Sequence, residues 1–121
     1  MMKSALWVGV GGFSGAILRY SITAWVGNAL VATFSINVLG CFLIGFTTAW
    51  LATMFPSYQA IRLLLITGFL GSFTTFSTYG MDGFKLLKDG VNVTALFYIV
   101  AQVVVGILMV YGGDALFKKF C

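Results

Sequence analysis

The chain of 121 residues has no histidine and no glutamate, and its only acidic side chains are three aspartates. Most of the side chains used for general acid–base catalysis and for binding transition metals are therefore absent, which argues against an enzyme. Charged residues make up 8% of the chain and its mean hydropathy is +1.04, whereas a soluble domain carries about 25% charged residues. This composition cannot cover a water-facing surface, so it indicates an integral membrane protein.

Cysteine and proline are also scarce. Cys41 lies inside an apolar segment and Cys121 is the last residue, so we expect the two thiols to lie at different depths and to form no disulfide. The single proline lies in FPSYQ at 55–59, one of three segments that predict a turn. The other two are VGNAL at 26–30 and KDGVN at 88–92.

The spacing of charged residues divides the chain into membrane spans. No charged residue lies between Arg19 and Arg62, and because a membrane helix needs about 20 apolar residues, this interval is too long for one helix. The charges and the turns together predict one integral-membrane domain over residues 1–121. Its four predicted spans cover roughly 4–26, 30–54, 60–87 and 92–117.

An even number of spans places both chain ends on the same side of the membrane. The numbers of basic residues on the two sides differ little. One side has Lys3, Arg62, Lys118 and Lys119, and the other has Lys85 and Lys88, or three residues when Arg19 is counted there. Because basic residues normally accumulate on the cytoplasmic side, so small a difference is compatible with insertion in both orientations.

Uncharged polar residues recur at helical spacing in the second and fourth spans. They are Thr33, Asn37 and Cys41 in the second, and Tyr98 and Gln102 in the fourth, where Gly106 continues the same spacing. A spacing of four residues places each set on one helix face. Such a face either joins helices by hydrogen bonds or lines the path of a small polar or anionic solute. In the first span, Arg19 is either an anchor that reaches the membrane surface or part of an aqueous vestibule that attracts anions.

The third span contains GFLGSFTTFSTYG at 68–80, which is rich in glycine and hydroxyl residues. These residues favour helices weakly and compete for backbone hydrogen bonds, so they predict a break near 71–76. The alternative is an unbroken helix whose hydroxyls bond carbonyls one turn earlier. After a break, Phe76 and Tyr79 share a face, either in ordinary packing or with their electropositive ring edges towards a small anion.

These segments resemble the Fluc (CrcB) family of fluoride channels over essentially the whole chain. The matching motifs are GGFSGAILRY at 11–20, TFSINVLGCFLIG at 33–45 and GFLGSFTTFSTYGMD at 68–82, of which the last is the most specific. The resemblance implies an all-α membrane protein with four transmembrane helices and a broken third helix. It also implies an antiparallel, dual-topology homodimer in the bacterial inner membrane.

The same resemblance implies a function and a set of site residues. The function would be passive, selective export of cytoplasmic fluoride through two pores at the dimer interface. A structural sodium ion would lie at the centre, held by the backbone carbonyls of Gly71 and Thr74. Arg19 would lie in the vestibule. The implied fluoride pathway comprises Phe76, Tyr79, Asn37, Thr33, Ser77, Thr78, Tyr98 and Gln102.

Four positions depart from the residues usual in that family. Tyrosine stands at 79 where phenylalanine is common, and Asp82 replaces a glutamate near one mouth. Gln102 and Gly106 stand where small hydroxyl residues are frequent.

Other functions are open from the residues alone. A small dual-topology multidrug exporter of four helices is one, but it would need a carboxylate deep in the membrane. Asp82 and Asp114 both fall near predicted span ends. A non-transporting assembly subunit is another, and it would conduct no ions. A paired heterodimer is also open, although we expect the homodimer.

Overall fold

The structure, a computed structural model, describes all 121 residues and has no strands. Two long helices, α1 (Met2–Val26) and α2 (Ala29–Met54), come first. The third span begins as α3 (Gln59–Arg62), continues through a π-helix (Leu63–Leu70) and ends its first half as α4 (Gly71–Phe73). Its second half is α5 (Phe76–Lys88), and α6 (Asn92–Phe120) completes the chain. The predicted all-helical class is therefore confirmed.

Three helical stretches are long and apolar enough to cross a membrane: Ala29–Met54, Gln59–Lys88 and Asn92–Phe120. They correspond to the second, third and fourth predicted spans. The first helix has sufficient length, with 25 residues, but it is rich in glycine and carries Lys3 and Arg19. The first helix is not among the three stretches that are long and apolar enough to cross a membrane, so its role as a span stays a prediction.

Two of the turns depend on glycine. Gly27 ends α1 with φ 69°, and Gly90 follows α5 with φ 75°, which is the left-handed region that glycine adopts without a steric penalty. Directly after Gly27, the Asn28 side chain accepts a hydrogen bond from the Val31 amide and so caps α2.

Glycines on α1 permit close packing against the first half of the third span. A Cβ atom at Gly11 would collide with the Leu64 carbonyl, and one at Gly15 would collide with the Phe69 carbonyl. The contact between α1 and the third span at this pair is therefore one of backbone against backbone. On the other side of the fold, α2 and α6 approach in the same way at Gly45 and Gly113.

The interior of the single chain is small. Only 19 of the 121 residues are buried, and a core of Ala32, Ile36 and Phe73 lies between α2 and the third span. Many large apolar side chains lie on the outside instead. An apolar exterior of this extent needs a covering of lipid or protein.

Candidate functional site

The third span breaks at Thr74 and Thr75. Both residues have extended backbone, with ψ 160° at Thr74 and ψ 114° at Thr75. On either side the chain is helical, so the span is divided into two halves that meet near its middle.

Two amide hydrogens at the break bond to side chains instead of helix carbonyls. In a continuous helix, the Thr75 amide would donate to the Gly71 carbonyl and the Thr78 amide to the Thr74 carbonyl. Here the Thr75 amide donates to Asn37 Oδ1 at 2.8 Å, and the Thr78 amide donates to Thr75 Oγ1 at 3.2 Å. Gly71 and Thr74, the residues expected to bind sodium, are therefore among the residues whose carbonyls lose their helical donors.

Two other carbonyls of the break region are bound by side chains from α1 and α2. Arg19 Nε donates to the Ser72 carbonyl at 3.1 Å. Asn37 Nδ2 donates to the Thr75 carbonyl at 3.1 Å. Arg19 is half-buried and bonded to the broken helix, and its expected place in a vestibule stays a prediction.

A cleft of about 290 Å³ opens on one side of the break. It brings together six of the residues expected at the site, namely Asn37, Gly71, Thr74, Phe76, Tyr79 and Gln102. The remaining lining is mostly apolar and comes from α2, α6 and the first half of the third span. This cavity is named the first cleft below.

A second cleft, of about 230 Å³, lies on the other side of the break. Its lining includes Arg19, Thr33 and Thr78, which are the other expected residues that lie together. Thr75 lines both clefts, so the break forms part of the wall between them. Ser77 and Tyr98 line neither: Ser77 is exposed, with its Oγ 3.5 Å from Thr75 Oγ1.

Aromatic rings follow one face of α5. The ring centroids of Phe76 and Tyr79 are 5.5 Å apart, as their spacing predicts, and Tyr98 on α6 lies 5.9 Å from Tyr79. Phe76 is 82% exposed in the single chain. The Tyr79 hydroxyl donates to the Ile99 carbonyl at 3.0 Å. The hydroxyl that distinguishes Tyr79 from phenylalanine is therefore bonded to α6.

Asp82 is buried between α5 and α6. Its exposed fraction is 4% and the Tyr98 hydroxyl donates to its Oδ2 at 3.0 Å, while its expected place near a mouth stays a prediction. Asp82 lines neither cleft. It joins α5 to α6, because Tyr98 lies on α6.

The residue that the sequence reasoning missed is Thr75. Its amide and carbonyl both bond to Asn37, and its hydroxyl caps α5 by accepting from the Thr78 amide. A threonine that precedes a helix is a frequent N-cap. Because a break was already expected near 71–76, this signal could have identified Thr75 as the N-cap of the helix that follows the break.

Comparison with known proteins gives a consistent relationship. Residues 6–114 match the family described as CrcB-like protein, Camphor Resistance (CrcB). A protein of Rhizobium etli named fluoride-specific ion channel FluC is 40% identical, over 97% of this chain and 98% of its own length. A protein of the same name from Hydrogenobaculum is 44% identical, over 84% of this chain and 86% of its own length. Another from Chloroflexus aurantiacus is 39% identical, over 98% of this chain and 98% of its own length. The chain belongs to the CrcB-like family.

Proposed function

We propose that this protein is a fluoride-selective channel through which cytoplasmic fluoride leaves the cell passively. The observation that carries the proposal is the full-length similarity to proteins named fluoride-specific ion channel FluC, at 39–40% identity over 97–98% of the chain. Similarity of this extent includes the break and both clefts.

The chemistry of the first cleft supports an anion as the permeant species. Its polar lining consists of amides, hydroxyls and backbone groups, with two aromatic rings and no acidic side chain. Amide hydrogens and ring edges are electropositive without carrying a full charge. Each contact with an anion is therefore weak, which suits conduction because an ion that binds too tightly does not leave.

An antiparallel homodimer with two pores is the proposed assembly. Support comes from Phe76 and Gly71, which line the first cleft yet are exposed in the single chain. A second copy crossing at the break would cover them and close the cleft into a pore. All four long helical stretches, α1 included, would then span the bacterial inner membrane.

A structural sodium ion fits the chemistry of the break. Gly71 and Thr74 have carbonyls without their helical donors, and oxygen ligands suit a hard cation. The chain brings together no cluster of three acidic, cysteine or histidine side chains, so the oxygens offered at the break are backbone carbonyls and hydroxyl groups. Two copies of each carbonyl around a twofold axis would give four oxygens. The ion would supply positive charge that links the two broken helices.

The multidrug exporter remains the weaker candidate. Asp82 supplies a carboxyl group buried inside the protein, which the sequence did not predict. However, its Oδ2 accepts from Tyr98, and the residue lines neither cleft. A carboxyl group that exchanges a proton for a cationic substrate must face that substrate.

Efflux from liposomes tests the proposed function. Purified protein is reconstituted in vesicles loaded with potassium fluoride and diluted into a sodium buffer. Valinomycin then lets potassium leave and balance the charge, and a fluoride electrode follows the release of fluoride. We expect rapid fluoride loss, no chloride loss from matched vesicles, and no dependence on a proton gradient. Fluoride loss no faster than from protein-free liposomes would refute the channel.

A further inference from the structure

A groove lies on the outer face of α1, near the end where this helix begins. Its volume is about 280 Å³, and it is lined by Lys3, Leu6, Trp7 and Val10. These residues recur at intervals of three and four, so they share one face of the helix. Leu6 is 66% exposed and Val10 is 61% exposed. The glycines of α1 that contact the third span lie on the other side of the helix, so the groove faces away from the rest of the chain.

The groove is separate from the face that a second copy is proposed to cover. The proposed dimer closes the first cleft, and no residue of α1 lines that cleft. The residues of α1 that line the second cleft begin only at Ala16, beyond the end of the groove. Lipid is therefore the neighbour that we expect for the groove.

One end of the groove carries a free positive charge. The single ion pair of the chain joins Lys118 to Asp114, and the first turn of α1 contains no acidic residue. Lys3 is exposed and its ammonium group has no carboxylate partner. A lysine at the start of a membrane helix can place its ammonium group among lipid headgroups while its methylene groups lie along apolar surface.

A second unpaired cation lies at the same end of the fold. Gly11 contacts Leu64 and Gly15 contacts Phe69, so α1 and the first half of the third span run in the same direction. Arg62 begins that half, next to the π-helix, and it has no carboxylate partner. The positive charge at this end is therefore not confined to a single side chain.

The other end of α1 provides an internal comparison. Trp25 follows Trp7 by about five helical turns, so the two rings lie on the same face, and both are exposed. Tryptophan is common at the membrane–water interface. However, the last turn of α1 contains no basic residue. Of the two ends, only the one at Trp7 combines an apolar groove, an interfacial ring and free positive charge.

We propose that this groove binds an anionic phospholipid. One acyl chain would lie against Leu6 and Val10, the Trp7 ring would lie at the level of the glycerol group, and the phosphate would lie beside Lys3. A zwitterionic phospholipid also carries a phosphate, but its own cationic group offsets that charge, so an anionic headgroup is preferred. This inference goes beyond the proposed function. It requires α1 to cross the membrane, but it does not require the protein to conduct fluoride.

Fluorescence quenching by brominated lipids tests the site. The chain has three tryptophans, so Trp25→Phe with Trp50→Phe leaves Trp7 alone, and Trp7→Phe with Trp50→Phe leaves Trp25 alone. Each variant is reconstituted in phosphatidylcholine bilayers that contain a small fraction of brominated phosphatidylglycerol or, in parallel, of brominated phosphatidylcholine with the same chains. We expect phosphatidylglycerol to quench Trp7 more strongly than phosphatidylcholine does. The two lipids should quench Trp25 equally.

A pair of lysine variants separates the site from general surface charge. Lys3→Gln should lower the preference of the Trp7 site for phosphatidylglycerol by about fivefold, because one basic residue near an anionic membrane surface contributes about 1 kcal/mol. Lys119→Gln is the matched control: Lys119 is exposed, unpaired and expected on the same side of the membrane, but it does not line the groove. The control should keep the wild-type preference, and an equal loss in both variants would overturn the site.

Four further outcomes would overturn the proposal. Equal quenching of Trp7 by the two lipids would show no preference for an anionic headgroup. Relief of the quenching by soluble glycerol phosphate would show a site for free phosphate. Protection of Trp7 from both lipids, with Trp25 still quenched, would show that a second copy or another protein covers the groove. Absence of quenching at both rings would show that α1 does not lie in the membrane.

The test of the groove is independent of fluoride transport. Quenching is measured without an ion gradient, so a protein that fails to release fluoride from liposomes can still show the preference for phosphatidylglycerol. That result would refute the proposed function and leave the lipid site standing. Normal fluoride flux with equal quenching by the two lipids would do the reverse.

Discussion

The two halves of the third span are held by different kinds of interaction. The first half, residues 59–73, lies against α1, where glycines bring the two backbones into contact. The second half, α5, is joined to α6 by the Tyr79–Ile99 and Tyr98–Asp82 hydrogen bonds. Backbone contact tolerates no added atom, whereas a hydrogen bond can be removed without a steric clash. The first half is therefore the scaffold, and the second half is the part whose side chains can be altered separately.

The largest expected effect comes from closing the space between α1 and the first half. Gly15→Ala places a Cβ against the Phe69 carbonyl, and since backbone cannot move aside easily, we expect a loss of about 3 kcal/mol in the free energy of unfolding. Thermal unfolding in detergent, followed by circular dichroism, measures it.

Gly9→Ala is the control on the same helix. A Cβ at Gly9 meets no atom within 4 Å, and alanine favours a helix over glycine by about 1 kcal/mol. The control should therefore be neutral or slightly stabilising. Equal destabilisation by the two substitutions would show that backbone contact does not hold the first half.

An intermediate effect is expected from the hydrogen bonds of the second half. Tyr98→Phe leaves the buried Asp82 carboxyl group without its donor, and we expect a loss of about 2 kcal/mol in the free energy of unfolding. Tyr79→Phe removes a bond to a neutral carbonyl, so its expected loss is about 1 kcal/mol. The same unfolding measurement compares them, and a larger loss in Tyr79→Phe would contradict the ranking.

The smallest effect on stability, but a clear one on conduction, is expected at Phe76. Its ring is exposed in the single chain and contacts Tyr79. Phe76→Ile removes the ring edge, and because an aromatic contact contributes about 0.5–1.5 kcal/mol, we expect fluoride flux to fall up to about tenfold. Liposome efflux measures it, with size-exclusion chromatography to check the assembly.

Phe84→Ile makes the same change at another exposed phenylalanine of α5 that lines neither cleft. Its flux should equal that of the wild type. If Phe76→Ile also conducted normally, the proposed role of the ring edge would be wrong.

The sequence predicted those features that depend on local chemistry. The hydroxyl cluster predicted the break, and the i+3 spacing of Phe76 and Tyr79 predicted adjacent rings, because both follow from propensity and helix geometry. The π-helix over Leu63–Leu70 was not predicted. Its LLLITGFL sequence reads as ordinary apolar helix, and the difference lies in backbone bonds that no side-chain pattern records.

The features that the sequence could not give depend on contacts between distant residues. Asn37 and Gln102 are 65 positions apart, so nothing local shows that they bond to each other. Burial of Asp82 was missed because distance from the end of a span does not reveal which face of α5 meets α6. The hydrogen bond of Arg19 was missed because its acceptor at Ser72 is a backbone carbonyl, which no side-chain pattern shows. The sequence therefore offered only the membrane surface or a vestibule as the place of Arg19.

The modest apolarity of α1 bears on how the chain enters the membrane during synthesis. Weakly apolar segments insert poorly by themselves, and α1 also carries Arg19, which bonds to a carbonyl that is translated 53 residues later. We expect α1 to remain poorly anchored until the third span has emerged from the ribosome. The first helix usually fixes the orientation of a membrane protein. Here α1 would adopt its orientation only after Arg62 as well as Lys3 has been made, so the direction of insertion would depend on the whole chain.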